Sequence, residues 1–123
     1  MNYSENISLL PYNSFGIEAY ARYFVRFSTL AALTESLDHI RSQGQRPALI
    51  LGGGSNLLLT GNIHGWVLKN EIRGMQLESE DETYYYVRCQ AGENWHAFVQ
   101  FCIHRDYAGL ENLSLIPGNT GAS

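Results

Sequence analysis

The fold of this chain is constrained most by residues 47–60, which have the sequence PALILGGGSNLLLT. Residues 48–51 form a short apolar run that predicts a buried strand. Three glycines, two small polar residues and a leucine follow: Gly52, Gly53, Gly54, Ser55, Asn56 and Leu57. Because glycine lacks a Cβ and reaches positive φ at little cost, successive main-chain N–H groups can turn toward one ligand and bind an anion. A tight turn between two strands is the simpler alternative.

Two well-known phosphate-binding loops do not fit this stretch. The dinucleotide motif G-x-G-x-x-G requires a glycine at the position of Leu57. A P-loop requires Gly-Lys-Ser/Thr at the start of a helix, but the stretch has no lysine and reaches Gly61 too soon for a helix. The order strand, glycine loop, short apolar segment and turn therefore indicates a different way of binding phosphate.

A second loop at residues 113–123 repeats this design, with an apolar run followed by glycines and small residues. Its candidate ligand-binding residues are Ile116, Pro117, Gly118, Gly121, Ala122 and Ser123. A pyrophosphate has two charged centres, and one such loop on either side would bind both.

The first half of the chain predicts a β-α-β unit. Alternating apolar residues at 22–27 indicate a strand, and Ser28 is the expected N-cap of a helix that runs to about Gln43. The strand at residues 48–51 follows, joined by a right-handed crossover that places the glycine loop at the carboxyl end of a strand. Residues 1–12 have no clear period and predict an arm without regular structure.

The second half predicts the start of an antiparallel sheet with a packed helix. Short β-rich runs occur at residues 66–69, 75–78 and 83–91, with a turn at 79–82. The acidic residues Glu78, Glu80, Asp81 and Glu82 indicate a solvated hairpin turn rather than a metal site. A helix at residues 92–105 has its apolar residues on one stripe: Trp95, Phe98, Val99, Cys102 and Ile103.

Composition restricts the classes of function. Of 123 residues 45% are hydrophobic and 16% charged, which predicts one globular domain. The formal net charge is −4 with Lys69 as the single lysine, so a nucleic-acid partner is not expected and local amides must bind any anion. No targeting or membrane-spanning segment is evident, and a cytoplasmic protein without a membrane partner is predicted.

The cysteines and histidines do not predict a metal site. Cys89 and Cys102 are thirteen positions apart and are expected to be free thiols, with a disulfide or a metal site as alternatives. The four histidines are too scattered to bind one ion.

Five segments in order resemble one known family. They are NSFGI at 13–17, LGGGSNL at 51–57, AGENW at 91–95, GLENL at 109–113 and IPGNTGAS at 116–123. Together they resemble the UDP-N-acetylenolpyruvoylglucosamine reductases, bacterial flavoenzymes that make UDP-N-acetylmuramate for peptidoglycan. The resemblance covers about the first third of such an enzyme.

The resemblance implies an α+β (α/β) chain with an incomplete FAD-binding type 2 (PCMH-like) fold. Residues 1–60 would form the first FAD-binding subdomain and residues 61–123 the beginning of the second, and the substrate domain would be absent. FAD would be bound by the residues of the two loops. NADPH as hydride donor and a small UDP-sugar substrate are implied for the full-length enzyme, with no obligate protein partner.

The resemblance also implies that the catalytic serine, arginine and glutamate lie beyond position 123. The expected catalytic set within this chain is therefore empty, and the 123 residues alone are expected to be inactive. Two alternatives remain open. One is another FAD-dependent oxidoreductase of the same flavin fold, such as a sugar-lactone oxidase, although no histidine or cysteine that could tether flavin lies between Pro47 and Asn62. The other is a non-catalytic nucleotide- or anion-binding module.

Overall fold

Six strands, two helices and three short 3-10 turns make up the chain in a computed structural model that describes all residues, Met1–Ser123. The strands are β1 (Ser4–Ser8), β2 (Tyr20–Phe27), β3 (Pro47–Leu51), β4 (Ile63–Asn70), β5 (Met75–Glu80) and β6 (Tyr85–Cys89). The helices are α1 (Leu30–Ser42) and α2 (Trp95–His104), and the 3-10 turns are Leu10–Tyr12, Glu111–Leu113 and Thr120–Ala122. The predicted mixture of sheet and helix is confirmed.

The larger sheet has the strand order β1-β2-β4-β3. Strands β2 and β3 both pair in parallel with β4, and β1 pairs antiparallel with β2. The predicted β2-α1-β3 unit is therefore present, with β4 inserted between its two strands. Because β2, β3 and β4 run in one direction, their carboxyl ends lie at the same edge of the sheet. The glycine loop leaves β3 at that edge.

The prediction of an irregular arm at residues 1–12 was wrong. Residues Ser4–Ser8 form an edge strand, with Ser4 opposite Phe24 and Ile7 opposite Ala21. Most of this strand is exposed. An edge strand that is held by main-chain hydrogen bonds and buries little apolar surface shows no alternating pattern, so the sequence did not predict it.

The strand predicted at residues 66–69 was expected to open the antiparallel sheet, and this too was wrong. It is part of β4, the central strand of the parallel region. Trp66, Val67 and Leu68 are all buried, and a continuous buried run is typical of a strand that is covered on both faces. The antiparallel hairpin begins later, with β5 and β6. The division of the chain at residue 60 remains a prediction.

The predicted hairpin is present, but its turn lies two residues later than the predicted 79–82, because β5 extends to Glu80 and β6 begins at Tyr85. Strands β5 and β6 pair antiparallel, and Asp81 begins the turn by accepting hydrogen bonds from the N–H groups of Thr83 and Tyr84 at 2.8 and 2.7 Å. The acidic residues of this turn are exposed. Nowhere in the chain do three or more His, Cys, Asp or Glu side chains lie together as a metal site.

Two apolar clusters pack against opposite faces of the larger sheet. One contains Val25, Phe27, Trp66 and Leu68 with Ile40 of α1, and the other joins Leu9, Ala19, Ala21, Phe24, Leu51, Leu59 and Val67. Helix α2 buries Phe98, Val99 and Cys102. Ile103 was predicted to lie on the same buried stripe, but its side chain is 42% exposed. Neither helix is long and apolar enough to cross a membrane.

Both cysteines are free thiols, as predicted. Burial raises the pKa of the Cys89 and Cys102 thiols, and a thiol with a raised pKa is a poor nucleophile.

Helix α1 begins one residue later than its predicted cap. The N-cap is Thr29, whose Oγ1 accepts a hydrogen bond from the N–H of Ala32 at 3.1 Å. Ser28 was the wrong choice because a serine and a threonine are adjacent and either type can cap a helix.

Removal of this cap should destabilise the chain. We expect Thr29→Ala to lower the free energy of unfolding by about 1 kcal/mol. Ser28→Ala is the matched control and should change it by less than about 0.5 kcal/mol. Urea unfolding followed by circular dichroism measures both. A larger loss in the Ser28 variant would contradict the assignment of the cap.

Candidate functional site

The two predicted loops line one groove of about 220 Å³. The first loop contributes Gly52, Gly53, Gly54, Ser55, Asn56 and Leu57, and the second contributes Gly118, Asn119 and Ala122. The remaining predicted residues Ile116, Pro117, Gly121 and Ser123 do not line this groove. The structure thus brings together two loops that are some sixty positions apart in the sequence. The FAD-binding role of the individual residues remains a prediction.

The first loop carries a run of free hydrogen-bond donors. None of the main-chain N–H groups of residues 52–57 donates a hydrogen bond within the chain, and neither do those of Gly118 and Asn119. No charged side chain lines the groove. The groove is therefore lined by residues with several unpaired amide donors and by no carboxylate that would repel an anion.

The first loop rests against the turn that follows β1. Gly54 has φ +67°, and a Cβ at this position would overlap the carbonyl oxygen of Tyr12. The Ser14 N–H donates to the Gly54 carbonyl oxygen at 3.0 Å. Gly54 is therefore required both by its backbone conformation and by this close approach.

The supporting turn is held by the buried side chain of Asn13. Its amide nitrogen donates to the carbonyl oxygens of Leu9 and Ile17 at 2.8 and 2.9 Å, and its oxygen accepts from the Ile17 N–H at 2.9 Å. The segment at residues 13–17 thus acts as a support for the glycine loop.

The second loop is held by the segment that precedes and begins α2. The Trp95 N–H donates to the Gly118 carbonyl oxygen at 3.0 Å, and the Thr120 N–H donates to that of Glu93 at 2.8 Å. A Cβ at Gly121 would lie 2.8 Å from the Cβ of Ala91. Gly121 therefore allows close packing behind the loop, and this explains why it does not line the groove.

The loops meet at two points. A Cβ at Gly53 would lie 3.3 Å from Asn119 Oδ1, and one at Gly118 would lie 3.1 Å from Ser55 Oγ. Asn119 was not among the predicted site residues. Its only sequence signal was its position between Gly118 and Gly121, within the loop that was predicted to bind a ligand.

A second contact that the sequence analysis missed is made by Lys69. Its ammonium group donates a hydrogen bond to the Gly52 carbonyl oxygen. Burial lowers the pKa of Lys69. The nearby Glu71 carboxylate raises this pKa, whereas the charges of Arg26 and Arg73 lower it further. Lys69 does not line the groove, so the expectation that local amides bind any anion remains a prediction. The position of Lys69 near the carboxyl end of a strand parallel to β3 was the available signal, but that pairing was not predicted.

A comparison with known protein families agrees with this arrangement of loops. Residues 21–123 match the family model described as FAD binding domain. The chain belongs to the FAD-binding domain family. This match covers both loops and the segments that hold the second one.

Curated relatives extend the likeness to the whole chain. It is 46% identical over 123 residues to a UDP-N-acetylenolpyruvoylglucosamine reductase of Pseudomonas putida, covering 100% of this chain and 36% of the relative. It is 42% identical over 123 residues to the protein of that name from Amoebophilus asiaticus, with the same coverage. The resemblance drawn from the five segments is confirmed. The chain spans about a third of the length of these relatives.

The packing of Gly54 predicts a sharp difference between two glycines. Gly54→Ala should lower the free energy of unfolding by at least about 2 kcal/mol, because a Cβ there is strained and overlaps a main-chain oxygen. Gly61→Ala is the control, since a Cβ at Gly61 meets nothing within 4 Å, and should change stability by less than about 1 kcal/mol. Equal losses in urea unfolding would contradict the described approach of Tyr12.

The lowered pKa of Lys69 predicts a pH-dependent stability difference. Because the pKa of Lys69 in the folded chain lies below its usual value of 10.5, the folded chain loses this proton before the unfolded chain does as the pH rises. Stability should therefore rise with pH in that window, relative to a variant without the amine. We expect the free-energy difference between wild type and Lys69→Met to shift in favour of wild type between pH 8 and pH 10.5. Chemical unfolding of both proteins across this range measures it, and a constant difference would contradict a lowered pKa.

Proposed function

We propose that the groove binds the pyrophosphate of FAD, and that the chain is the FAD-binding part of a UDP-N-acetylenolpyruvoylglucosamine reductase. The observation that carries the proposal is the run of free N–H groups at residues 52–57, beside a second glycine loop in the same groove. Hydrogen bonds to a charged group contribute roughly 1.5 to 3 kcal/mol each, so a few of these donors suffice for binding.

The residues present fit a pyrophosphate better than a single small anion. Two adjacent glycine loops contribute donors to the lining of one groove, and a pyrophosphate has two charged centres. No acidic side chain lines the groove, so no carboxylate there repels the phosphates. The Lys69 ammonium lies behind the first loop, where it donates to the Gly52 carbonyl oxygen. We further propose that the two sheets belong to a PCMH-like FAD-binding fold of type 2, with a subdomain division near residue 60.

The proposed reaction is the NADPH-dependent reduction of the enolpyruvyl group of a UDP-sugar to give UDP-N-acetylmuramate in the cytoplasm. Support comes from the name shared by relatives that are 42–46% identical to this chain. When bound, FAD supplies the hydride-transfer chemistry. The role of the residues described here is to bind and orient its pyrophosphate, and we assign none of them a part in hydride or proton transfer.

A titration of the folded chain tests the proposal. FAD, flavin mononucleotide and ADP are added in parallel, with flavin fluorescence for the first two and calorimetry for ADP. We expect saturable binding that prefers FAD. Binding of ADP with no contribution from the flavin would instead favour a generic nucleotide-binding module, and a folded chain that binds none of the three would contradict the proposal.

A matched pair of variants locates the site. Gly53→Asp should weaken FAD binding by about 30-fold or more, because it places a carboxylate among the free N–H groups and crowds Asn119. Gly61→Asp makes the same change where a Cβ meets nothing within 4 Å, outside the lining of the groove, and should bind FAD as wild type does. Equal loss in both variants would place the site elsewhere.

A further inference from the structure

We propose that the Asn119 side chain binds a phosphate of the bound dinucleotide and so contributes a donor from the second loop. This inference rests on the proposed FAD-binding function and extends it to a residue that the sequence did not indicate. It concerns the side chain of Asn119, whereas the rest of the proposed site consists chiefly of main-chain donors.

The position of Asn119 places its side chain where the two loops meet. A Cβ at Gly53 would lie 3.3 Å from its Oδ1 and 3.6 Å from its Cγ. The residue lines the groove together with the donor-rich loop at residues 52–57. A ligand held by the N–H groups of that loop would therefore lie within reach of the carboxamide.

The main chain on either side of Asn119 is fixed. The Trp95 N–H donates to Gly118 and the Thr120 N–H donates to Glu93, while the Asn119 carbonyl oxygen accepts from the Ala122 N–H at 3.0 Å. A donor on a fixed backbone loses little freedom when it binds a ligand, and this favours its use in a binding site.

The carboxamide itself has no partner within the chain. Asn119 precedes the 3-10 turn Thr120–Ala122 but makes no side-chain capping hydrogen bond to it. In contrast, the side chains of Asn13, Asn62, Asn70 and Asn94 all hydrogen-bond to the main chain. The Asn119 amide offers two N–H donors, and rotation about its last bond can direct them to a phosphate oxygen.

The test compares three variants of the chain by FAD fluorescence titration at pH 8. Asn119→Ala removes the donor and should weaken FAD binding by about tenfold to a hundredfold. Asn119→Asp has nearly the same shape but places a carboxylate beside the phosphate, and should weaken it by about 30-fold or more. Asn112→Asp makes the same charge change at an exposed residue outside the groove and should match wild type.

A pH series separates direct contact from a structural effect. When the pH falls from 8 toward 4.5, the carboxylate of Asn119→Asp begins to take up a proton while the pyrophosphate stays ionised. The loss of FAD affinity in this variant relative to wild type should then become smaller, whereas the loss in Asn119→Ala should stay constant. Thermal unfolding of each variant identifies any loss of the fold, and the alanine variant alone suffices if the aspartate variant does not fold.

The outcomes distinguish this inference from the proposed function. If wild type binds FAD and either Asn119 variant binds it equally tightly at pH 8, the inference is overturned and the FAD site stands. A deficit of Asn119→Asp that does not change with pH also overturns it. If folded wild type does not bind FAD, both proposals fail together.

Discussion

The parallel pairing of β3 with β4 is the constraint on which the candidate site depends. It puts the carboxyl end of β3 beside that of β4, so the glycine loop emerges next to Lys69 and the Lys69 ammonium reaches the Gly52 carbonyl oxygen. The buried run at Trp66, Val67 and Leu68 holds β4 between β2 and β3. The glycine loop thus leaves a strand whose position is fixed by the core.

Both loops are supported by main-chain contacts that lie far away in the sequence. The turn after β1 supports the first loop through Ser14 and Gly54, and the segment before α2 supports the second through Trp95 and Gly118. The two loops therefore combine a supported backbone with several glycines and small polar residues, as the proposed phosphate site requires.

The sequence was sufficient for the helices, the hairpin and the two loops, because each has a local pattern. It failed where the information is not local. Strand β1 is an exposed edge strand without alternation, and the central place of β4 depends on pairing with strands far away in the sequence. The site shows the same division: glycine-rich segments marked both loops, but Lys69 and Asn119 acquire their roles only from tertiary contacts.

The close approach of Gly53 and Asn119 has a consequence for how this site can vary among relatives. Gly53 does not need a positive φ, so its backbone accepts other residues, and the neighbour that opposes a side chain there is Asn119. A larger residue at position 53 would require a smaller one at position 119. Natural variation at these two positions, some sixty-six residues apart, should therefore be correlated, whereas the main chain of Tyr12 should exclude any side chain at position 54.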